Sequence, residues 1–288
     1  MILIDLVEAS AARLAGAGVA FGHGTTNAFD EAAWLVLWQL GLPVNDLDGV
    51  AEMSVSPQQQ DTVDDLITER IQSRKPAAYL TREAWLQGVA FYVDERVIVP
   101  RSFIAELVVE GAIDPWLSDQ TQRVLDLCTG NGSLAVLAAM AYPDVEVDAA
   151  DISRQALDVA KINVDKHALG PRIRLVESDG LAQLQGPYDL ILCNPPYVNA
   201  QSMAQLPDEY RAEPQVALAG GSDGMDFIRQ LLRDAPAKMT DIGVLVLEIG
   251  NERGNFETAF PRLECVWLET SAGADQVLLL TRRELARA

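Results

Sequence analysis

Asn194-Pro195-Pro196-Tyr197 is the stretch of this chain whose residue types suit one definite chemical task, holding a planar NH2 group. The Asn194 side-chain oxygen can accept one N–H. Pro195 has no N–H of its own, and its carbonyl can accept the second. Two prolines in a row fix φ and stiffen the turn. Tyr197 supplies a flat ring that can lie on an amide or a base. These four residues follow Tyr188-Asp189-Leu190-Ile191-Leu192-Cys193, a short apolar run that reads as a buried parallel strand. Ligands of open α/β sheets sit just outside the carboxyl ends of such strands. By itself the stretch could equally be a proline-rich turn, so the rest of the chain must decide.

A second constellation lies upstream. Asp126-Leu127-Cys128-Thr129-Gly130-Asn131-Gly132 joins a strand to a helix, and its glycines allow a tight turn and close backbone approach to a ligand. Asp151 ends the next strand about twenty positions later, where an acid can hydrogen-bond both hydroxyls of a ribose. Gly130-x-Gly132-x-x-Ala135 also fits a loose dinucleotide fingerprint. Asp126 argues for S-adenosylmethionine instead. A carboxylate there can bind the ammonium of a methionine moiety, whereas an anionic pyrophosphate would be repelled. Asp179, after a third strand, can meet the adenine amino group. Asp126 and Asp151 each have a plainer reading as helix-capping acids. Cys193 reads as a small buried hydrophobe and His23 as a structural loop histidine. Arg101 could reach the crevice but reads better as a surface arginine.

The elements that must position these residues fall into three stretches. Residues 1–76 read as a small helical domain that docks the substrate. Leu3, Leu6, Val7, Ser10 and Leu14 share one helical face. Asn27 with Asp30 caps a second helix, whose apolar face is Phe29, Ala32, Ala33, Val36, Leu37 and Leu40. Ser56-Pro57-Gln58-Gln59 has capping-box spacing, and Val63, Leu66, Ile67 and Ile71 form the face that follows. Residues 77–101 read as a linker hairpin bending near Gly88, with Val97-Ile98-Val99 as a further strand. Residues 102–288 alternate helix and strand, as in a mainly parallel doubly wound sheet. Its last two strands are expected to pair as an antiparallel edge hairpin.

Composition narrows the function. The 288 residues are 49% hydrophobic, enough for a sizeable core. The net charge of -20 opposes duplex DNA as a partner, because such binding rests on neutralising phosphates. It suits a basic partner, although a merely soluble acidic protein carries the same signature. Three widely spaced cysteines and two histidines make no metal cluster, so no metal is expected. No apolar run is long enough for a membrane span, and no secretory signal is evident, so a reducing cytoplasm is the expected compartment.

The runs DLCTGNGS, ADIS, SDG and CNPPY, in that order, resemble the class I methyltransferases that act on amino groups, and as a set the protein glutamine N(5)-methyltransferases. AFGHGTTNAFDEAAWLVLWQLGLP, RVIVPRSFIAEL and LPDEYRAEPQVALAGGSDGMDFIR resemble the branch that methylates ribosomal large-subunit protein three. The resemblance covers nearly the whole chain. It implies an enzyme that transfers a methyl group from S-adenosylmethionine to a glutamine amide nitrogen. Asn194, Pro195, Pro196 and Tyr197 would clamp the amide. Asp126, Cys128, Thr129, Gly130, Asn131, Gly132, Asp151, Asp179 and Asn194 would hold the cofactor. Many members carry Gly where Cys128 stands. Release-factor methylases usually show a PRPxTE-like run where this chain has Pro100-Arg101-Ser102-Phe103-Ile104-Ala105-Glu106. Methylation of a release factor is the nearest alternative and DNA adenine methylation a more distant one. A dinucleotide-dependent oxidoreductase would leave Asn194-Pro195-Pro196-Tyr197 unexplained, and a nucleoside-binding adaptor would have little use for it.

Overall fold

The computed structural model describes residues 1–287 and divides into two compact units. The sequence places boundaries at 76 and 101. The structure instead groups Met1–Ala84 with a short later segment, Leu206–Ala212. The second unit comprises Trp85–Gln205 and the chain from Glu213 onward.

The first unit is helical: α1 (Leu3–Gly16), α2 (Ala28–Gln39), α3 (Leu47–Val50), α4 (Pro57–Ser73) and α5 (Ala77–Thr81). Its caps form as their sequences specify. The Asn27 side chain accepts the Asp30 N–H, and Ser56 and Gln59 make a reciprocal capping box behind Pro57. The inward face of α2 is Ala32, Leu35, Val36 and Leu37; Phe29, expected there, is exposed. The core also holds a fully buried cation. Arg70 Nε donates to Glu31 Oε1 at 2.8 Å, its Nη2 to the Ala20 carbonyl at 3.0 Å, and its Nη1 faces Glu209 Oε1 at 3.4 Å. A buried charge persists only with such partners. Arg74 in turn donates to Glu209 at 3.2 Å, and Tyr210 stacks on buried His23 with ring centroids 4.2 Å apart. Leu206–Ala212 is therefore fastened by its acid and by its ring.

The second unit follows from a hairpin of β1 (Glu83–Leu86) and β2 (Val89–Tyr92). Gln87 and Gly88 both take positive φ, as a two-residue hairpin turn requires. Val97-Ile98-Val99 forms no strand; the Val99 N–H donates to the Glu213 carboxylate rather than to a neighbouring backbone. Then come α6 (Ile104–Val109), β3 (Arg123–Leu127), α7 (Ser133–Ala141), β4 (Glu146–Asp151), α8 (Arg154–Lys166), β5 (Ile173–Glu177) and β6 (Tyr188–Cys193). Short α9 (Ala200–Gln205) follows, then α10 (Asp208–Arg211), which belongs to the first unit, and then α11 (Asp226–Asp234), β7 (Met239–Glu248), α12 (Arg253–Ala259), β8 (Val266–Thr270), β9 (Gly273–Thr281) and α13 (Arg282–Leu285).

The seven-stranded sheet has the order β5-β4-β3-β6-β7-β9-β8; it is parallel from β5 to β7 and antiparallel at the β7–β9 and β9–β8 pairs of the edge hairpin. Alternate strand residues feed opposite faces. Val124, Leu190, Leu192, Val244 and Val246 enter one core. Leu125, Leu127, Ile191, Leu245 and Leu247 enter the other. Both faces are covered, which is why the strands read as continuous apolar runs. Among the described residues no helix is long and apolar enough to cross a membrane.

Candidate active site

The chain leaves β3 towards β4 and β5 on one side and returns to β6 and β7 on the other. β3 and β6 therefore flank the switch point where open α/β sheets bind ligands. Leu127 pairs with Ala150 on one side and with Cys193 on the other. Cys128, Asp151 and Asn194 thus emerge from three adjacent strands at one level. They share a cleft enclosing about 830 Å³, open mouth included. Gly130, Asp179 and Pro196 also line it. So do residues the sequence reading left out, notably Arg96, Ile152, Val216 and Phe227.

The loop after β3 is wound by three left-handed residues, Cys128 (φ 61°), Gly130 (φ 55°) and Gly132 (φ 81°). A Cβ on Gly132 would stand 3.1 Å from that of Ala160, so the close packing of loop on α8 needs glycine. Asp126, Thr129, Asn131 and Gly132 are buried and do not belong to the cleft wall. Asp126 Oδ2 accepts the Thr129 hydroxyl at 2.5 Å and the Ala135 N–H at 2.9 Å, tying β3 to the first turn of α7. Its Oδ1 has no hydrogen-bond partner among the described residues. Burial pushes the Asp126 carboxyl up to about 7, against those two hydrogen bonds. Asn131 Oδ1 accepts from the Ser133 N–H, and Asn163 of α8 donates to the Asn131 carbonyl while bracketing the Tyr92 backbone.

Asp151 does line the cleft. Each of its oxygens accepts one backbone N–H, from Gly130 at 3.0 Å and from Ser153 at 2.9 Å, which leaves further lone pairs. Burial raises its pKa. The Cys128 thiol sits against Cys193, and that contact together with burial pushes it well above the ordinary thiol range. Cys128 is therefore not placed to act as a thiolate.

The other half of the cleft is built differently. The Asn194 carboxamide, half-buried in the wall, makes no hydrogen bond among the described residues. Pro195 is buried and Tyr197 half-buried. Behind them the backbone is fixed by a short parallel bridge: Val198 N–H to Leu218 carbonyl and Gly220 N–H to Val198 carbonyl, both 2.9 Å. The Tyr197 hydroxyl points at Glu248 Oε1, 3.4 Å away. Burial raises the phenol's pKa, and the Glu248 charge adds to the shift. Asn199 Nδ2 donates to Glu252 at 2.6 Å. Arg101 is not a free surface group. Both its terminal nitrogens donate to the buried Glu213 carboxylate, at 2.6 and 2.7 Å.

Residues 112–209 match the family described as Methyltransferase small domain. The ribosomal protein uL3 glutamine methyltransferase of Bordetella pertussis (strain Tohama I) is 53% identical over 286 residues, covering 98% of this chain and 96% of that protein. The protein of the same name from Burkholderia pseudomallei (strain K96243) is 52% identical, covering 98% and 94%. This chain belongs to the uL3 glutamine methyltransferase family. A third member, from Neisseria meningitidis serogroup A, is 47% identical over 98% of this chain and 93% of its own length. The solved hMettl16 catalytic domain, in complex with the MAT2A 3'UTR hairpin 6, superposes with a TM-score of 0.53 at 14% identity. That match covers 78% of this chain and 81% of the other, and it is a likeness of fold.

For a uL3 glutamine methyltransferase, the stretches flanking the two motifs take on structural meaning. LAGGSDG is the rail behind Tyr197. The buried acids Glu213, Glu248 and Glu252, absent from the sequence reading, fasten Arg101, Tyr197 and Asn199. Glu248 had a sequence signal. It ends an apolar strand run, as Asp151 does at the end of β4.

Proposed function

We propose that this methyltransferase moves a methyl group from S-adenosylmethionine to the side-chain amide nitrogen of a glutamine in ribosomal protein uL3. The observation that carries the reading is the Asn194 carboxamide. It stands in the cleft wall with no hydrogen-bond partner among the described residues, one residue past β6 and across from the loop of Cys128 and Gly130. An amide left open beside Tyr197 and Asn199, whose polar groups both meet buried acids, has its hydrogen-bonding capacity available to a ligand.

The residues present fit the proposed cofactor. Asp151 offers spare lone pairs at the end of β4, where ribose hydroxyls would be held, and Asp179 would meet the adenine. The orphaned Oδ1 of Asp126, directly behind the loop, favours a nearby ammonium. Cys128, Thr129, Gly130, Asn131 and Gly132 supply the loop that would close on the methionine portion. When bound, S-adenosylmethionine supplies an electrophilic methyl on a positively charged sulfur.

The chain's own residues then have to make a poor nucleophile react. An amide nitrogen shares its lone pair with its carbonyl. Asn194 Oδ1 and the Pro195 carbonyl would accept its two N–H groups, fixing its direction of approach. The same acceptors oppose the positive charge that grows on nitrogen during transfer. Pro195 and Pro196 keep the acceptors from swinging away, and Tyr197 would pack over the amide plane. The methylated nitrogen is then strongly acidic, and water suffices to take its proton.

The uL3 designation of the relatives favours uL3 over a release factor as substrate. The charge of -20 suits a protein partner that is basic because it packs on RNA, and opposes binding to duplex DNA. A cytoplasmic location accompanies a ribosomal substrate. The test is a transfer assay with labelled cofactor on separately purified, unmethylated uL3 and release factor, with mass-spectrometric mapping. Label on one glutamine of uL3 alone is the expected result; label on the release factor alone would overturn the substrate assignment.

A further inference from the structure

Tyr197 is held more tightly than a ring that simply covers a substrate needs to be. A Cβ on Gly250 would stand 2.6 Å from the tyrosine Cε2 and 3.0 Å from its Cζ. A Cβ on Gly220 would come 2.7 Å from the Tyr197 Cα, and one on Gly224 would strike the Tyr197 carbonyl oxygen. Three glycines thus admit the residue into a slot. Gly220 and Gly224 crowd its backbone and Gly250 its ring, and none of them supplies a polar side chain for its hydroxyl.

That partner is Glu248, 2% exposed at the end of β7. Leu247 pairs with Cys193, so Glu248 stands level with Asn194 on the neighbouring strand. Its two oxygens are divided between two tasks. Oε2 accepts the Ser102 hydroxyl at 2.6 Å and the Phe103 N–H at 2.9 Å, where the chain enters α6. Oε1 faces the Tyr197 hydroxyl. Arg101 is paired with Glu213 through both terminal nitrogens. A buried carboxylate is costly unless its hydrogen bonds are specific, and burial pushes this one up to about 7.

From this geometry we infer that Glu248 is a positioning residue: it sets the rotation of the Tyr197 ring, and through that ring the attitude of the amide to be methylated. The inference rests on the amide-clamp reading of Asn194-Pro195-Pro196-Tyr197. With one end of Glu248 anchored on Ser102 and Phe103, its free oxygen is a fixed point. The ring, confined by Gly250 and tied at its hydroxyl, then presents one face without searching. Losing the tie leaves the ring in its slot but free to twist, and small losses of alignment at a reacting atom are expensive in rate.

The plainer role for Glu248 is to latch the start of α6, and the test must separate the two. Turnover, the KM for uL3 and the affinity for S-adenosylmethionine are to be measured for Tyr197→Phe, Glu248→Gln and the double variant. Tyr197→Phe removes only the hydroxyl. It is expected to lower kcat about tenfold, with KM and cofactor affinity changed less than about twofold. Glu248→Gln should lower kcat, and the double variant should match Tyr197→Phe, because both changes break one link. Additive losses in the double variant, or full turnover in Tyr197→Phe, overturn the inference. If Glu248→Gln does not fold, the kcat-against-KM split of Tyr197→Phe decides alone. Asn194→Ala, measured alongside, keeps the two readings apart. Its loss of turnover beside a fully active Tyr197→Phe would sink the role of Glu248 and leave the clamp standing. Unchanged turnover in Asn194→Ala would sink the clamp itself.

Discussion

The two halves of the cleft sit at the ends of adjacent strands and are stabilised in opposite ways. The loop from Cys128 to Gly132 is held by near neighbours and by the next strand and helix: Asp126 takes Thr129 and Ala135, Asp151 takes Gly130, and Asn163 donates to Asn131. The turn from Asn194 to Tyr197 is held by distant residues: Leu218 and Gly220 on the backbone, Gly250 and Glu248 on the ring. Each half keeps polar atoms without a partner among the described residues: the buried Asp126 Oδ1 and Asn131 Nδ2 in the first, and the cleft-facing Asn194 amide in the second. The loop of the first half is folded in on itself and on the strands beside it. A clamp for a protein side chain needs rigid support from outside, because its own polar groups must stay available.

The largest consequence concerns Asp126. Burial favours its protonated form, so above pH about 4 the folded protein keeps a proton that the unfolded chain has released. Its contribution to stability is therefore complete at low pH and is lost as pH rises through about 7. A shift of about three units corresponds to roughly 4 kcal/mol. Asp126→Asn should remove this fall, gaining on the parent protein as pH rises from about 5 to 8 in cofactor-free melting curves. Parallel curves would show that Asp126 is already ionised in the folded state.

Next is the outside support of the clamp. Gly250→Ala combines a left-handed φ of 52° with a Cβ driven into the Tyr197 ring. It should cost about 2–3 kcal/mol of stability. It should also lower kcat at least tenfold, with cofactor affinity nearly intact. Equal losses of turnover and cofactor binding would erase the contrast between the halves.

The smallest effect is expected within the cofactor loop. Cys128 holds φ 61° with a side chain, and Cys128→Gly relieves that strain while giving up the contact with Cys193. The net change should lie within about 1 kcal/mol, with turnover preserved. A large loss in cofactor affinity would mean that the thiol itself contacts the ligand.

The same contrast explains what could be read beforehand. β6 has the limits the sequence suggested, and the Asn27 and Ser56 caps form, because each is decided within a few residues. The glycine-wound turn after β3 and the place of Asp151 at the end of β4 were legible in the same way. Val97–Val99 looked like a strand because apolar pattern alone does not say where an N–H will go; here one goes to Glu213, 114 positions away. Phe29 matched a helical face but points outward. Arg70, Glu209, Glu213 and Glu248 read as ordinary charges. Their meaning depends on partners brought together only by the finished fold.

Asn194→Ala tests the central claim most directly. The variant removes the open amide while leaving the loop of Cys128 to Gly132, Asp151 and the Tyr197 support in place. Single-turnover transfer to uL3 should fall by about 10²-fold or more, as when one preorganised transition-state hydrogen bond is removed. S-adenosylmethionine affinity, measured calorimetrically on the same preparation, should change by less than about threefold. Transfer at the parent rate would contradict the assignment of Asn194 as the acceptor that aligns the amide.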